Sequence, residues 1–297
     1  MVDLAIIVVN YRTKELTQKC LRSIYNSKPK NKFEVWVVDN NSSDNSLVVL
    51  KKEFPQVNMI ESDKNLGFSG GNNLVLKKAK AKYYLLLNSD TEIRGHALEN
   101  LCEFAETSDF GIMSCKLLNY DGSFQPNGGE LPTIFPLFFW LSGLDDIFRK
   151  FLNIPSYQSR GKEYYIDNKQ IGWVSGSVML IKNEVMEKIG LLDDQIFMYG
   201  EDVEYCFRAN RVGFKVGWTD QAEVMHLGGV SSKTPQYNQW IGEFKGLIYI
   251  YHKFFGSFMA FLLKTLMYVF IVARIIGFLI VGKILYSRTY AKIFVNL

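Results

Sequence analysis

Apolar stretches of strand length alternate with amphipathic stretches of helix length over the first 117 residues. The first apolar stretch, Leu4–Val9, is rich in Ile and Val, and Thr13–Asn26 after it has apolar side chains at helical spacing. Near-continuous apolar strands between amphipathic helices are typical of a parallel sheet covered on both faces. We therefore predict an α/β fold with a mainly parallel sheet. The predicted strands are Leu4–Val9, Phe33–Val38, Val57–Ile60, Tyr83–Leu87 and Phe110–Cys115, and the predicted helices are Thr13–Asn26, Ser46–Phe54, Gly71–Ala79 and Ala97–Thr107.

Polar clusters follow three of these predicted strands. They are Asn10–Arg12, Asp39–Asp44 and Asn88–Asp90. Ligands of such sheets bind beyond the carboxyl ends of the strands, where oxygen-bearing side chains can hold a divalent cation and, through it, a diphosphate. A common turn rich in Asn, Ser and Asp explains any one cluster. Three clusters at one edge of a sheet favour a binding site.

Two further segments have both a structural and a functional interpretation. The glycine-rich stretch Asn65–Asn73 precedes a predicted helix, where backbone N–H groups can approach an anionic or sugar ligand. A left-handed turn explains it equally well. Glu201 and Asp202 begin a helix predicted over Asp202–Val212, either as acids that suit a helix N-terminus or as a general base. Adjacent residues of one helix cannot both face the same site.

The bulk composition excludes several classes of protein. The net charge of +4, from 34 basic and 30 acidic residues, gives no reason to expect a nucleic-acid partner. Four scattered cysteines form no CxxC pair, which favours reduced thiols over a zinc site or disulfides. The apolar start of the chain lacks the basic region and cleavage site of a signal peptide, so we interpret it as a strand.

Residues 118–172 break the alternation of strands and helices. The segment contains Gly128-Gly129 and a run of aromatic residues over Phe135–Trp140, and we interpret it as an insertion or a mobile loop region over the site. Regular structure is expected again at Trp173–Lys182, interrupted by Ser175–Ser177, and at a short strand over Phe214–Trp218.

The last sixty residues have a membrane-like composition. Lys264 and Arg274 are the charged residues within Phe254–Gly282, and Thr265–Gly282 is just long enough to cross a bilayer. A central arginine makes a single span costly, so an interfacial helix pair, or a span with Arg274 packed against a partner, is equally compatible with the sequence. The alternative is a buried core helix. The flanking residues Lys283, Arg288 and Lys292 favour a cytoplasmic membrane face.

Taken in chain order, the polar and glycine-rich motifs form a series. The series is Val8–Tyr11, Val38–Ser42, Asn65–Asn72, Leu87–Asp90, Ser175–Ser177, Phe197–Asp202 and His226. It resembles family 2 glycosyltransferases of the GT-A fold, a Rossmann-like fold, and in particular their bacterial rhamnosyltransferase-like branch. The resemblance covers about residues 4–230, and an ordered series is far more specific than any single motif.

The resemblance implies an inverting transferase that uses a nucleotide-diphosphate sugar and Mg²⁺ or Mn²⁺. By position, Asp202 is the implied catalytic base, Asp90 a metal ligand and His226 a second metal ligand, although a lone histidine is more often structural. Asn88 departs from the family's Asp-x-Asp motif, which removes one negative charge. The implied donor-binding residues are Asn10, Tyr11, Asp39, Asn41, Asn65, Gly71, Asn72, Asn88 and Ser89.

The sequence thus predicts a catalytic domain over residues 1–237 and a membrane-associated helical segment over 238–297. The first candidate donor is dTDP-rhamnose, followed by UDP-galactofuranose or another UDP-hexose, and the expected acceptor is a lipid-linked saccharide at the cytoplasmic face of the cell membrane. A nucleotidyltransferase is a second interpretation, but the glycine-rich basic loop that it needs after the first strand is missing. A membrane-tethered nucleotide-sugar-binding protein without catalysis is a third.

Overall fold

The computed structural model describes residues 1–148, 154–228 and 237–297. The chain forms two compact units. The sheet unit comprises Met1–Leu131, Gln158–Phe197 and Glu201–Gly228. The helical unit comprises Pro132–Tyr157, Met198–Gly200 and Gly229–Leu297. The division into domains at residue 237 stays a prediction, and residues 149–153 and 229–236 of that predicted catalytic domain lie outside the described residues.

The sheet unit is built on a mixed, mainly parallel sheet. Its strands are β1 (Val2–Asn10), β2 (Phe33–Asp39), β3 (Asn58–Glu61), β4 (Ala81–Asn88), β5 (Thr91–Ile93), β6 (Phe110–Leu118), β7 (Phe124–Gln125), β9 (Lys169–Ile171), β11 (Val178–Lys182) and β12 (Lys215–His226). The main order is β3-β2-β1-β4-β11-β6-β12-β5, with β7 paired to β6 and β9 to β12. Strands β1, β2, β3 and β4 are parallel, β12 is parallel to β6, and β11 is antiparallel to both of its neighbours. A separate pair joins β8 (Gly128–Gly129) to β10 (Trp173–Val174).

Helices cover both faces of this sheet. The helices of the unit are α1 (Lys14–Asn26), α2 (Ser46–Glu53), α3 (Gly67–Leu76), α4 (Ala97–Thr107), α7 (Asn183–Ile189) and α8 (Glu201–Arg211). Leu4, Ile6 and Val8 of β1 share one core with apolar residues of α1, α2 and α4. The alternate residue Val9 faces Gly71 of α3 on the other side of the strand. The prediction of an α/β fold with helices on both faces is therefore confirmed.

Several element boundaries differ from the predicted ones. Helix α3 begins at Gly67 and not at Gly71, and β5 was not predicted. The strand expected over Phe214–Trp218 continues to His226, with a register irregularity between Thr219 and Glu223 that places polar residues inside the strand. The stretch Trp173–Lys182 divides between two sheets. Residues 118–172 contain β7, β8, β9, a short 3₁₀ helix and the first two helices of the helical unit.

The helical unit contains α5 (Ile134–Ser142), α6 (Leu144–Phe148), α9 (Tyr237–Phe255), α10 (Ser257–Ile280) and α11 (Ile284–Asn296). Helix α10 packs against α5, α9 and α11. Among the described residues, α10 is the one helix long and apolar enough to cross a membrane, judged by length and composition. Only 17% of its most apolar window is buried, which argues against the alternative of a buried core helix.

Candidate active site

The carboxyl ends of β1 and β2 hold a buried network centred on Asp39. Asn10 and Asp39 are register partners on these parallel strands, so their side chains leave the sheet at the same level. Asp39 Oδ1 accepts hydrogen bonds from Asn10 Nδ2 at 2.7 Å and from the Ser42 hydroxyl at 2.5 Å, and Asp39 Oδ2 accepts one from the backbone N–H of Ser42 at 3.2 Å. The carboxylate is thereby held in one orientation.

Exposed side chains lie beside this network. Tyr11 is 39% exposed, and the guanidinium of Arg12 lies 5.2 Å from the centre of its ring. Asn41 is exposed and has a φ of 63°, and three other residues of these loops also have positive φ. The three are Arg12, Ser43 and Asn45. Left-handed backbone at non-glycine residues is uncommon and clusters at ligand sites, where surrounding contacts enforce it.

The end of β4 carries the Asn88–Asp90 motif next to β1. Asn88 is the register partner of Val9, and the Ser89 hydroxyl lies 2.9 Å from the Thr13 hydroxyl, which in turn donates to Asn10 Oδ1. The motif is therefore joined to the Asp39 network through Thr13. Cys20 lies beneath the turn, and burial raises the pKa of its thiol to about 12, so it is a neutral packing residue and not a nucleophile.

Asp90 and His226 form a half-buried pair. His226 ends β12, Asp90 Oδ1 lies 3.3 Å from His226 Nε2, and the two side chains are 17% and 14% exposed. Asn88 Nδ2 lies 3.2 Å from the same nitrogen. The structure thus brings together the two residues expected to bind a metal. Asn88, which replaces the first aspartate of the family's Asp-x-Asp motif, lies beside them.

Gln125 determines which nitrogen of His226 faces Asp90. Its Oε1 lies 2.7 Å from His226 Nδ1, while its Nε2 donates to Asn119 Oδ1 at 2.9 Å. Asn119 is oriented in turn by donation from its Nδ2 to the carbonyl of Phe124, which can only accept. An oxygen on Gln125 therefore meets Nδ1, so Nδ1 carries the hydrogen and Nε2 is left with the lone pair that a metal ligand needs.

The glycines of the glycine-rich stretch allow close packing against other residues of the same chain. Gly67 has a φ of 69°, and a Cβ there would lie 2.0 Å from the carbonyl oxygen of Phe197. Gly71 lies against Val9, with the Asn40 side chain nearby. Asn65 Oδ1 accepts from Asn40 Nδ2 at 3.0 Å and from Gly67 N–H at 2.9 Å. The turn interpretation therefore explains these residues, and their contact with a donor stays a prediction.

Asn72 is buried in α3. Its Nδ2 donates to the carbonyl of Phe68, and its Oδ1 has no hydrogen-bond partner in the described part of the chain. An unsatisfied buried oxygen of this kind is uncommon. That Asn72 contacts the nucleotide or the sugar stays a prediction.

Asp202 lies in the first turn of α8, half-buried, with its carboxylate fixed by backbone. Its Oδ2 accepts from the N–H of Gly176 at 3.0 Å and its Oδ1 from the N–H of Val203 at 2.8 Å. Glu201 is only 5% exposed, so of the two adjacent acids Asp202 is the more accessible. The backbone carbonyl of Ser177, next to Gly176, accepts a hydrogen bond from the backbone N–H of Asn88 at 2.9 Å. This contact joins Asp202 to the end of β4.

Seven of the predicted residues are joined in one connected set at the carboxyl edge of the sheet. They are Asn10, Asp39, Asn88, Ser89, Asp90, Asp202 and His226. Contacts lead from Asp39 through Asn10, Thr13 and Ser89 to Asp90 and His226, and from Asn88 through Ser177 and Gly176 to Asp202. Sequence reasoning missed Thr13, Ser42, Gln125 and Asn119. Ser42 was within a quoted motif, but nothing in residues 118–172 marked Gln125.

The residues present fit a divalent cation that is shared with a substrate. The described part of the chain has no group of three or more His, Cys, Asp or Glu side chains arranged for a metal ion. A pair of one carboxylate oxygen and one imidazole nitrogen suits Mn²⁺, and ions of this class commonly take their remaining ligands from phosphates and water.

Comparisons with known proteins identify the family of the chain. The model of the family described as glycosyl transferase family 2 matches residues 5–190, more than half of the chain. The chain therefore belongs to glycosyl transferase family 2, and the predictions of a family 2 resemblance and of a glycosyltransferase are confirmed.

Two curated relatives and one solved structure illustrate the similarity. A low-salt glycan biosynthesis hexosyltransferase of Haloferax volcanii is 29% identical over 228 residues, 75% of this chain and 67% of that protein. The N-acetylglucosaminyl-diphospho-decaprenol L-rhamnosyltransferase of Mycobacterium tuberculosis is 21% identical over 65% of this chain and 66% of that protein. A mannosyltransferase from Pyrobaculum calidifontis, solved with GDP-Man and Mn²⁺, has a TM-score of 0.59 at 14% identity, covering 98% of this chain and 74% of that one. The prediction of a GT-A fold is confirmed.

Proposed function

We propose that this glycosyltransferase transfers a sugar, with inversion at the anomeric carbon, from a nucleotide-diphosphate donor to a lipid-linked saccharide. The observation that carries the proposal is the connected set of Asp39, Asp90, His226 and Asp202 at the carboxyl edge of one sheet. It supplies a fixed carboxylate for the nucleotide, two ligands for a cation and a separate carboxylate for the acceptor. A protein that only bound the donor would have no need of a carboxylate for the acceptor.

Asp39 is the proposed anchor of the nucleotide. Three hydrogen bonds orient its carboxylate, and Oδ2 uses only one of them, so this oxygen can accept a further bond from a base N–H or a ribose hydroxyl. Asn10 is fully buried and acts by holding Asp39. Tyr11 and Asn41 are exposed beside it and offer contacts to the base or ribose.

Asp90 and His226 are the proposed protein ligands of Mg²⁺ or Mn²⁺. When bound, the cation would stabilise the negative charge that builds on the departing diphosphate. The imidazole ligand favours Mn²⁺, and a mannosyltransferase of similar fold was solved with that ion. Asn88 in place of an acidic residue reduces the negative charge at the ion, so we expect weaker metal binding than a pair of aspartates would give.

Asp202 is the proposed general base. The N–H groups of Gly176 and Val203 fix its two oxygens, so the carboxylate is oriented before the acceptor arrives. It removes the proton from the acceptor hydroxyl as that oxygen attacks the anomeric carbon from the face opposite the leaving group. One displacement of this kind inverts the anomeric centre without a covalent sugar–enzyme intermediate.

The identities of donor and acceptor rest on the relatives. One of them is named a decaprenol-linked L-rhamnosyltransferase, which supports dTDP-rhamnose as the first donor to test and a polyprenol-linked acceptor. Another is named a hexosyltransferase of glycan biosynthesis, which supports a UDP-hexose as the alternative, with UDP-galactofuranose also to be tested. We place the reaction in cell-surface polysaccharide synthesis at the cytoplasmic face of the membrane.

Release of nucleoside diphosphate from a panel of nucleotide sugars with Mn²⁺ tests the proposal. One donor should turn over, and Asp202→Asn should retain donor binding while transfer to an acceptor falls at least about 100-fold. Asp194→Asn, an exposed acid in the preceding loop, is the matched control and should remain active. Donor binding without release in the wild-type chain would instead support the catalytically inactive binding protein. Full activity of Asp202→Asn would rule out the assigned base.

A further inference from the structure

Helix α10 has a long apolar side that no described residue covers. Its exposed side chains include Phe258, Phe261, Val269, Val272, Ile276 and Leu279. They recur at spacings of three, four or eight residues, so they lie along one side of the helix. Contiguous apolar surface of this extent marks an interaction site.

The opposite side of α10 is fixed within the helical unit. Ala260, Leu263, Met267 and Ile271 are buried, and Arg274 continues the same stripe. Arg274 Nη2 donates to the carbonyls of Trp140 and Leu141 at 2.9 and 3.0 Å, and Nη1 donates to the Tyr290 hydroxyl at 2.7 Å. The arginine in this apolar helix therefore binds α5 and α11 and does not face the apolar side.

Helices α10 and α11 form an antiparallel hairpin. The ring of Tyr268 contacts Phe294, Phe278 contacts Tyr286, and the Ser287 hydroxyl donates to the carbonyl of Ile275. Helix α11 has 13 residues and a length of about 20 Å, less than the roughly 30 Å of a hydrocarbon core. If α10 crossed a membrane, α11 and its exposed Arg288 and Lys292 would enter the hydrocarbon with it.

The charge of this region identifies the partner chemistry. Residues 244–297 contain no Asp or Glu but seven Lys or Arg, which are Lys245, Lys253, Lys264, Arg274, Lys283, Arg288 and Lys292. Apolar surface combined with positive charge alone suits a bilayer that contains anionic lipids. Association with a second copy would bring these like charges together.

We infer that the α10–α11 hairpin lies within one leaflet of an anionic bilayer, parallel to its surface, and does not cross it. The apolar side of α10 faces the acyl chains, and the exposed Lys283, Arg288 and Lys292 reach the headgroups. This inference deepens the proposed function, on whose membrane association it rests.

The orientation can be tested by labelling single cysteines placed at the two ends of α10. Ser257→Cys and Val281→Cys put thiols at exposed positions, while the four native cysteines are buried and burial raises their thiol pKa values. With a membrane-impermeant maleimide, we expect both sites to react in inside-out vesicles and neither in intact cells, relative to total labelling in detergent. If one of the two sites reacts in intact cells and the other in inside-out vesicles, the helix crosses the membrane. That result would overturn the in-plane orientation and leave membrane association intact.

The lipid preference can be tested with the purified full chain and vesicles. Binding should be strong to vesicles containing phosphatidylglycerol and weak to phosphatidylcholine alone. Lys283→Glu combined with Arg288→Glu should weaken binding at least roughly 30-fold. The control Lys19→Glu with Lys51→Glu, exposed residues of α1 and α2, should change it less than about twofold. Equal binding to both lipids, or a dimer that binds neither, would overturn the inference, and the second result would also remove membrane association from the proposed function.

Discussion

At the scale of single residues, Ser42 orients Asp39, the proposed anchor of the nucleotide. Its hydroxyl donates to Asp39 Oδ1 and accepts from Asn10 Nδ2 at 2.9 Å and from Arg12 N–H at 3.0 Å. One hydroxyl thus joins the ends of β1 and β2 and the backbone of the following loop. Removing it leaves Asp39 with fewer constraints while Asp90, His226 and Asp202 keep their contacts.

Ser42→Ala should therefore weaken donor binding more than it slows the chemical step. A hydrogen bond to a charged group contributes about 1.5–3 kcal/mol, so we expect the KM for the donor to rise at least about 10-fold with kcat changed less than about threefold. Initial rates at varied donor concentration measure both. Ser43→Ala, at an exposed position one residue further on, should be close to wild type. A fall in kcat at constant KM would contradict this role for Ser42.

Gln125 has the corresponding role toward His226, a proposed metal ligand. Gln125→Leu removes the acceptor of the His226 Nδ1 hydrogen, so the affinity for Mn²⁺ should fall about 10- to 100-fold. Gln125→Glu keeps an acceptor there and should retain most of the affinity. Titration of Mn²⁺ followed by electron paramagnetic resonance, with nucleoside diphosphate present, measures this directly. Gln170→Leu, at an exposed position of β9, is the control. An unchanged Mn²⁺ affinity in Gln125→Leu would show that Gln125 does not orient His226.

At the scale of elements, the beginning of α3 depends on a glycine for two separate reasons. Gly67 has a left-handed φ and also leaves room for the carbonyl of Phe197, which accepts the N–H of Phe68 at 2.9 Å. Gly95 has a φ of 50° but nothing within 4 Å of its missing Cβ. The two glycines therefore separate the cost of the backbone conformation from the cost of steric overlap.

Gly95→Ala should destabilise the chain by about 1–2 kcal/mol, the cost of a left-handed conformation for a residue with a Cβ. Gly67→Ala should cost about 1–3 kcal/mol more because its Cβ overlaps backbone that must move. Denaturant unfolding in detergent, followed by tryptophan fluorescence, compares the two variants. Equal destabilisation would mean that the loop at Phe197 moves away from α3 without cost.

Much of this architecture follows from the sequence because buried parallel strands have a strong pattern. The strands ending at Asn10, Asp39 and Asn88 were predicted within two residues, and parallel pairing alone brings their ends to one edge. Gln125 could not be predicted, since β7 is a two-residue strand too short to show a strand pattern, and its partner His226 is 101 residues away in sequence. The full length of β12 was hidden by Asp220, Gln221 and Glu223, which a register irregularity accommodates.

The function of the glycine-rich stretch was also ambiguous from sequence for a physical reason. A glycine that admits a ligand and a glycine that admits a neighbouring backbone require the same conformation and the same missing Cβ. Only coordinates identify the neighbour, which is Phe197 for Gly67 and Val9 for Gly71. The contacts of Arg274 could not be inferred from the sequence either, because its acceptors on α5 are more than 130 residues away in sequence.

At the scale of the whole molecule, the two units carry different parts of the proposed activity. Every predicted donor, metal and base residue belongs to the sheet unit, and the apolar hairpin with its basic residues belongs to the helical unit. A lipid-linked acceptor is confined to a membrane, whereas a nucleotide sugar is dissolved in water. Binding of the helical unit to a bilayer, as proposed, would therefore raise the local concentration of the acceptor and leave the donor concentration unchanged.

Changing the basic residues of the hairpin should accordingly impair use of the lipid-linked acceptor and leave use of the soluble donor unaffected. Lys283→Glu with Arg288→Glu should lower transfer to a polyprenol-linked acceptor in anionic vesicles by about the factor by which vesicle binding weakens. Transfer to a short-chain, water-soluble acceptor and the KM for the donor should change less than about twofold, because neither depends on the membrane. Parallel assays with the two acceptors, at low salt and again at about 0.5 M salt, measure the difference, and salt should reduce the wild-type advantage in vesicles by screening. An equal loss with both acceptors would show that these residues support folding or catalysis, and not delivery of the enzyme to its lipid substrate.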